Sequence, residues 1–186
     1  MTSQISRRKF LAWNFEAAAG FLGNVLLPGM EEGRPFFRPP GTGDELAFLA
    51  SCTRCGICRD VCPEQSISLF TVSSGAKLVN TPYLDPNISP CTFCGKCIDV
   101  CQDSALRHSS LVADRAIGKA RIIESNCLAH KGVICDYCVQ GCPRKGVAIA
   151  VDNGIPVIQY DGCDGCGQCV QNCIADSQSI LVELIS

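Results

Sequence analysis

The chain has 186 residues, of which 16 are cysteine, 16 basic and 18 acidic, for a formal net charge of −2. That balance, with no basic stripe interleaved with aromatics, argues against nucleic-acid binding, and the cysteine fraction excludes an ordinary globular composition. A disulfide scaffold scatters its cysteines at irregular spacings and belongs to oxidising compartments. Here they fall into four tight groups, too close in sequence to pair with one another but well placed to converge on metal centres.

In chain order, residues 1–43 form a cysteine-free N-terminal segment. Ser6-Arg7-Arg8-Lys9-Phe10-Leu11 fits a twin-arginine pattern, and an apolar stretch follows from Phe10 to Leu27. Interrupted by Asn14, Glu16, Gly20, Gly23 and Asn24, it is too short for a bilayer span, which needs about 20 apolar residues, so no transmembrane span is expected. Glu16 and the lack of an A-x-A-like site after Leu27 argue against export and cleavage; an amphipathic helix docking on a partner is the alternative. Trp13 would anchor such a helix, Pro28-Gly29 would stop it, and Arg34–Gly41 reads as an extended tether.

From Asp44 the chain reads as two similar halves, 44–118 and 119–186, each with two cysteine sets separated by a short β-hairpin pattern. In the first, Ser66–Phe70 and Lys77–Val79 flank Ser73-Ser74-Gly75. In the second, Val147–Val151 and Ile155–Ile158 flank Asp152-Asn153-Gly154, a strong turn signal. Ala120–Ile123 opens the second half as a strand and Ile180–Leu184 closes it. The expected fold class is α+β: two tandem bacterial-type two-cluster 4Fe-4S ferredoxin modules with short hairpins and short helices.

Cys52, Cys55, Cys58 and Cys62 are separated by two, two and three residues. Cys91, Cys94, Cys97 and Cys101 repeat that spacing, as do Cys163, Cys166, Cys169 and Cys173. The third set is stretched at its first gap: Cys127, then Cys135, Cys138 and Cys142. Three thiolates on a tight loop cap one cubane, while the fourth points away and, in two-cluster ferredoxins, ligates the neighbouring cluster. The crossover predicts four 4Fe-4S clusters, held by Cys52, Cys55, Cys58 and Cys101; by Cys91, Cys94, Cys97 and Cys62; by Cys127, Cys135, Cys138 and Cys173; and by Cys163, Cys166, Cys169 and Cys142. Zinc sites are built from two separated pairs instead.

Pro63 and Pro143 follow a fourth cysteine; Gln102 and Ile174 stand at the corresponding places of the other two sets. Gly56, Gly95, Gly165 and Gly167 allow backbone to approach sulfur closely. Tyr83 and Tyr160, each ahead of a cysteine set, are expected to pack over clusters, and His108 and His130 to lie at the surface. No catalytic triad, acid–base carboxylate pair, phosphate loop or dinucleotide fingerprint is present, so no enzyme is expected. With so little core, the metal-free chain is expected to be unfolded or molten.

The run from Ser6-Arg7-Arg8 through Arg38-Pro39-Pro40, Phe48–Cys55, Cys91–Cys97, Cys127-Leu128-Ala129-His130 with its stretched gap, and Cys163–Cys169 resembles the NapF ferredoxin-type accessory proteins of periplasmic nitrate reductase systems. The resemblance implies a cytoplasmic iron–sulfur protein that contacts the catalytic nitrate reductase subunit, or a similar redox protein, and assists its maturation or reduction. The competing expectation is an exported polyferredoxin, as in the NapG type, relaying electrons from a membrane quinol oxidase to a periplasmic reductase. A purely structural role for the clusters is a third and weaker reading. The oligomeric state is not legible in the sequence.

Overall fold

The computed structural model describes residues 36–113 and 116–185. The twin-arginine run, Trp13, Glu16, the apolar stretch to Leu27, and Arg34-Pro35 lie outside the described residues. The described residues all belong to one compact unit.

Asp44 starts the first helix among the described residues, α1 (Glu45–Ser51): its side chain accepts the Ala47 amide at 2.9 Å, satisfying one of the donors a helix start leaves open. Phe48 is its buried anchor, and the chain turns extended at Cys52. Three more helices are single turns inside the cysteine loops: α2 (Ile57–Asp60), α3 (Lys96–Asp99) and, after the six-residue α4 (His108–Ala113), α5 (Tyr137–Gln140). The last, α6 (Gln168–Gln171), follows the same pattern.

The strands pair as three two-stranded antiparallel sheets among the described residues: β1 (Ile67–Leu69) with β2 (Pro82–Leu84), β3 (Lys119–Ile122) with β6 (Ile180–Glu183), and β4 (Ile149–Asp152) with β5 (Ile155–Ile158). β4 and β5 join through Asn153 (φ 48°) and Gly154 (φ 83°), the left-handed pair that a tight hairpin turn requires. β3 and β6, drawn from the two ends of the second half, align Ala120 with Val182, both buried. Pro82 and Pro156 are tolerated because every strand in a two-stranded sheet is an edge.

The first hairpin differs from expectation. Lys77-Leu78-Val79 is turn, not strand: the Leu78 and Val79 amides bond back to the Gly75 carbonyl, and Thr81 to that of Leu78. β1 pairs instead with Pro82–Leu84, whose alternation suits a half-buried ribbon: Leu84 is 1 % exposed, while Tyr83 faces out to stack on Phe70 at 4.3 Å between ring centroids. Lys77–Val79 offers no such alternation.

The described part of the tether is not extended throughout: it turns at Pro40-Gly41, where Gly41 has φ 86° and the Thr42 amide bonds the Pro39 carbonyl at 3.3 Å, and it is packed in. Arg38, Pro39, Pro40 and Gly41 are buried. Arg38 sits over the rings of Phe36, Phe48 and Phe70 and donates to Glu45 Oε1 at 2.6 Å, Thr81 Oγ1 at 3.0 Å and the Pro82 carbonyl at 2.6 Å. Full pairing and stacking on aromatic faces are what permit a guanidinium at this depth.

Two small cores result. One gathers Phe48, Ile67, Ile98, Ala105 and Leu106 with Cys97. The other gathers Ala120, Val139, Ala148, Ile149, Ile180 and Val182 with Cys138, Cys163 and Cys169. Cysteines occupy core positions that a protein of this size would ordinarily give to leucine or isoleucine. The architecture is a small α+β fold of short helices and two-stranded antiparallel ribbons. Among the described residues no helix is long and apolar enough to cross a membrane.

Candidate metal centres

The cysteine loops owe their curl to left-handed residues on both sides of each second cysteine. Before it stand Arg54 (φ 61°), Phe93 (φ 53°) and Gly165 (φ 71°); after it stand Gly56 (φ 78°), Gly95 (φ 78°) and Gly167 (φ 81°). Left-handed turns of this kind aim successive backbone N–H groups into a concavity that suits negative charge. The amides of Arg54 and Phe93 donate toward the sulfurs of Cys52 and Cys91 and favour their thiolates. The glycines were legible in the sequence. Arg54 and Phe93 were not, since nothing in their side chains signals a positive φ.

The stretched third set is built differently. α5 starts directly from Asp136 at φ −138°, and the left-handed glycine of this loop, Gly132 (φ 84°), stands four residues earlier. The extra residues form a turn in which the Lys131 and Val133 amides bond to the Leu128 carbonyl, leaving Val133 and Ile134 exposed.

Four cavities are lined by cysteines. Cys52, Cys55, Cys58 and Cys101 line one, and Cys62, Cys91, Cys94 and Cys97 another. Cys127, Cys135, Cys138 and Cys173 line a third. Cys142, Cys163, Cys166 and Cys169 line the fourth, to whose wall Cys91 of the first half also contributes. In each, three cysteines come from one loop and the fourth from the other loop of the same half. α2 packs on α3 and α5 on α6, which carries the crossing cysteines into reach.

Burial decides the electrostatics. It pushes the thiols of Cys58, Cys91 and Cys138 up to about 11 and that of Cys97 to about 12, with neighbouring thiolates adding repulsion. Cys169 is raised further for the same reasons, and Cys52, Cys142 and Cys166 also move upward by burial. Four thiolates confined together in so little water need a cationic group between them. Sulfur donors select soft metals such as Zn, Cu(I) and iron–sulfur centres. Among the described residues no three His, Cys, Asp or Glu side chains stand close enough to hold a single ion. Four thiols spread around a cavity, with amides aimed at sulfur, fit a polynuclear iron–sulfur group instead. The Leu106 amide reaches Cys101 Sγ at 3.4 Å and the Ala120 amide Cys163 Sγ at 3.3 Å, the type of hydrogen bond that tunes such centres.

Other sequence-derived expectations fare unevenly. Tyr83 stacks on Phe70, and Tyr160 is 59 % exposed beside Lys119; neither lines these four cavities. The reason is local: Tyr83 occupies the outer face of β2, and Tyr160 begins a 3₁₀ turn whose carbonyl accepts Lys119 Nζ. His108 is exposed and bonds Asp99 Oδ1 at 2.7 Å; His130 is partly covered, 4.0 Å from Glu124.

Comparison with known proteins fits this geometry. Residues 51–105 match the 4Fe-4S dicluster domain family. Over 96 % of its length the chain is 31 % identical to the ferredoxin-type protein NapG of Escherichia coli, covering 86 % of that protein. It is 30 % identical to the ferredoxin-type protein NapF of Haemophilus influenzae, over 91 % of this chain and 89 % of the other. The chain belongs to the ferredoxin-type family of NapF and NapG. MauM, the methylamine utilization ferredoxin-type protein of Paracoccus denitrificans, is 36 % identical over 78 % of this chain and 70 % of its own. As a member of this family the chain is an iron–sulfur, electron-transport protein, with 4Fe-4S chemistry as its cofactor class.

Proposed function

We propose that the chain carries four 4Fe-4S clusters in two tandem two-cluster modules, 44–118 and 119–186, preceded by an N-terminal segment, 1–43. In this reading it assists maturation or reduction of the catalytic subunit of a periplasmic nitrate reductase, or a similar redox protein, from the cytoplasm. The observation that carries the cluster assignment is the exchange of the fourth cysteine. Cys101 lines the cavity of Cys52, Cys55 and Cys58, while Cys62 lines that of Cys91, Cys94 and Cys97. Cys173 and Cys142 do the same in the second module.

Each cluster, when bound, supplies one-electron redox chemistry. The chain's own contribution is to gather sixteen cysteine sulfurs, all but those of exposed Cys55 and Cys94 buried or half-buried, and to aim amides such as those of Arg54, Phe93, Leu106 and Ala120 at sulfur. The accessory role rests on the family relationship and the stretched Cys127–Cys135 gap. Cytoplasmic location rests on Glu16 within the apolar stretch.

The second reading, an exported relay between a membrane quinol oxidase and a periplasmic reductase, draws on the similarity to NapG across 96 % of the chain. Anaerobically purified protein should contain about sixteen iron atoms, fractionate with the cytoplasm with its N-terminus intact, and capture the catalytic reductase subunit in a pull-down. A processed form recovered from the periplasm would favour the second reading; eight iron atoms or zinc would defeat the four-cluster assignment.

A further inference from the structure

The two halves meet where two of the four cavities adjoin. The Cys91 amide donates to the Cys166 carbonyl at 2.8 Å, and Cys91, Thr92 and Phe93 help line the cavity framed by Cys142, Cys163, Cys166 and Cys169. Nearby, Gly167 lies so tightly against the Pro86 carbonyl oxygen that a Cβ would overlap it.

Asn87 fixes this approach. Its Nδ2 donates to the Val182 carbonyl at 3.0 Å while its Oδ1 accepts the Val182 amide at 2.7 Å, so one side-chain amide replaces a neighbouring strand at the edge of β6. The Ile117 amide adds a bond to the Asp164 carbonyl at 3.0 Å. Within each half, α2 packs on α3 and α5 on α6, which brings that half's two cavities together.

We propose that the Cys91–Cys166 contact joins the two modules into one unbranched electron relay, and that Asn87 is the residue that positions it. The order is then the cavities of Cys52, Cys91, Cys163 and Cys127, with the first and last as the ends. An electron crossing the junction leaves the group held by Cys62, Cys91, Cys94 and Cys97 oxidised by one and the group held by Cys142, Cys163, Cys166 and Cys169 reduced by one. No bond breaks and no proton moves. The proposal rests on the four-cluster reading, and the alternative it excludes is a pair of magnetically separate modules.

The test is low-temperature EPR of fully reduced, full-length protein alongside an iron count. Wild-type protein should show spin–spin interaction within each module plus a further component between modules. Asn87→Ala should lose that further component and keep its iron. Asn87→Asp, which still accepts the Val182 amide but no longer donates to its carbonyl, should fall between the two and serves if the alanine variant loses its clusters. Identical spectra for wild type and both variants, at about sixteen iron atoms each, would overturn the proposal. An iron count near eight in the wild type would overturn the four-cluster reading itself, independently of Asn87.

Discussion

Arg144, two residues beyond Cys142, is ion-paired with Asp164, the residue after Cys163. The pair clamps together the crossing cysteine and the loop whose cavity it enters. Asp164 is 8 % exposed and Arg144 37 %, so the carboxylate is the more dependent partner. Asp164→Ala should destabilise the loaded protein by about 1–3 kcal/mol, at the low end because Arg144 keeps access to water. Leaving the guanidinium uncompensated beside this centre should also raise its midpoint potential. Denaturant melts and a redox titration would check both, and a lowered potential would count against the electrostatic argument.

The crossover itself is open to mutation. Cys62→Ser removes a thiol from the loop that begins at Cys52, yet the affected centre should be the one at Cys91, Cys94 and Cys97, because Cys62 lines that cavity. Mössbauer or EPR spectra should show one altered centre, with iron falling from about sixteen toward about fifteen or twelve. Damage confined to the cavity of Cys52, Cys55 and Cys58 would refute the assignment.

Loading should release protons. Burial raises the thiols of Cys58, Cys91 and Cys138 to about 11 and that of Cys97 to about 12, and cysteines of an unfolded chain titrate at about 8.5, so near neutral pH the thiols are mostly protonated before loading whether or not the metal-free chain is folded. Ligation requires thiolates and therefore expels those protons. Apparent affinity should accordingly rise with pH across the neutral range and up to the thiol values. Calorimetric loading in two buffers of different ionisation enthalpy reads the release directly; equal heats in both would contradict it.

Arg38 should be costly to replace. It is 4 % exposed, paired with Glu45, Thr81 and Pro82, and stacked among three rings. Arg38→Ala should lose about 3 kcal/mol or more, as for one member of a buried ion pair. Arg38→Lys should recover little, because an ammonium lacks the planar fork that meets these partners at once. Urea unfolding of the loaded variants gives the comparison.

Much of the architecture could be read ahead of the structure because it is local. The Asp152-Asn153-Gly154 turn forms where its side chains demand it, and the strands at Ala120 and Ile180 were visible from their apolar runs. The first hairpin was misplaced because Lys77–Val79 is apolar enough to resemble a strand. Its turn is set by hydrogen bonds to Gly75, and the true partner, Pro82–Leu84, is chosen by the burial of Leu84 and the stacking of Tyr83 on Phe70. Arg34–Gly41 reads as an extended tether because nothing in a short Pro-rich run reveals the aromatic rings and the carboxylate that meet Arg38.

The sequence by itself determined the donors: sixteen cysteines, their two-two-three spacings and the one stretched set, since loop reach is set by covalent geometry over a few residues. Only the tertiary structure decided what depends on segments far apart in the chain. It gave Arg54 and Phe93 their left-handed turns, paired Arg144 with Asp164, and brought Cys91 against Cys166 under the hold of Asn87 on Val182. Such contacts arise from packing and hydrogen-bond satisfaction among whole elements, and no spacing rule within a single loop encodes them.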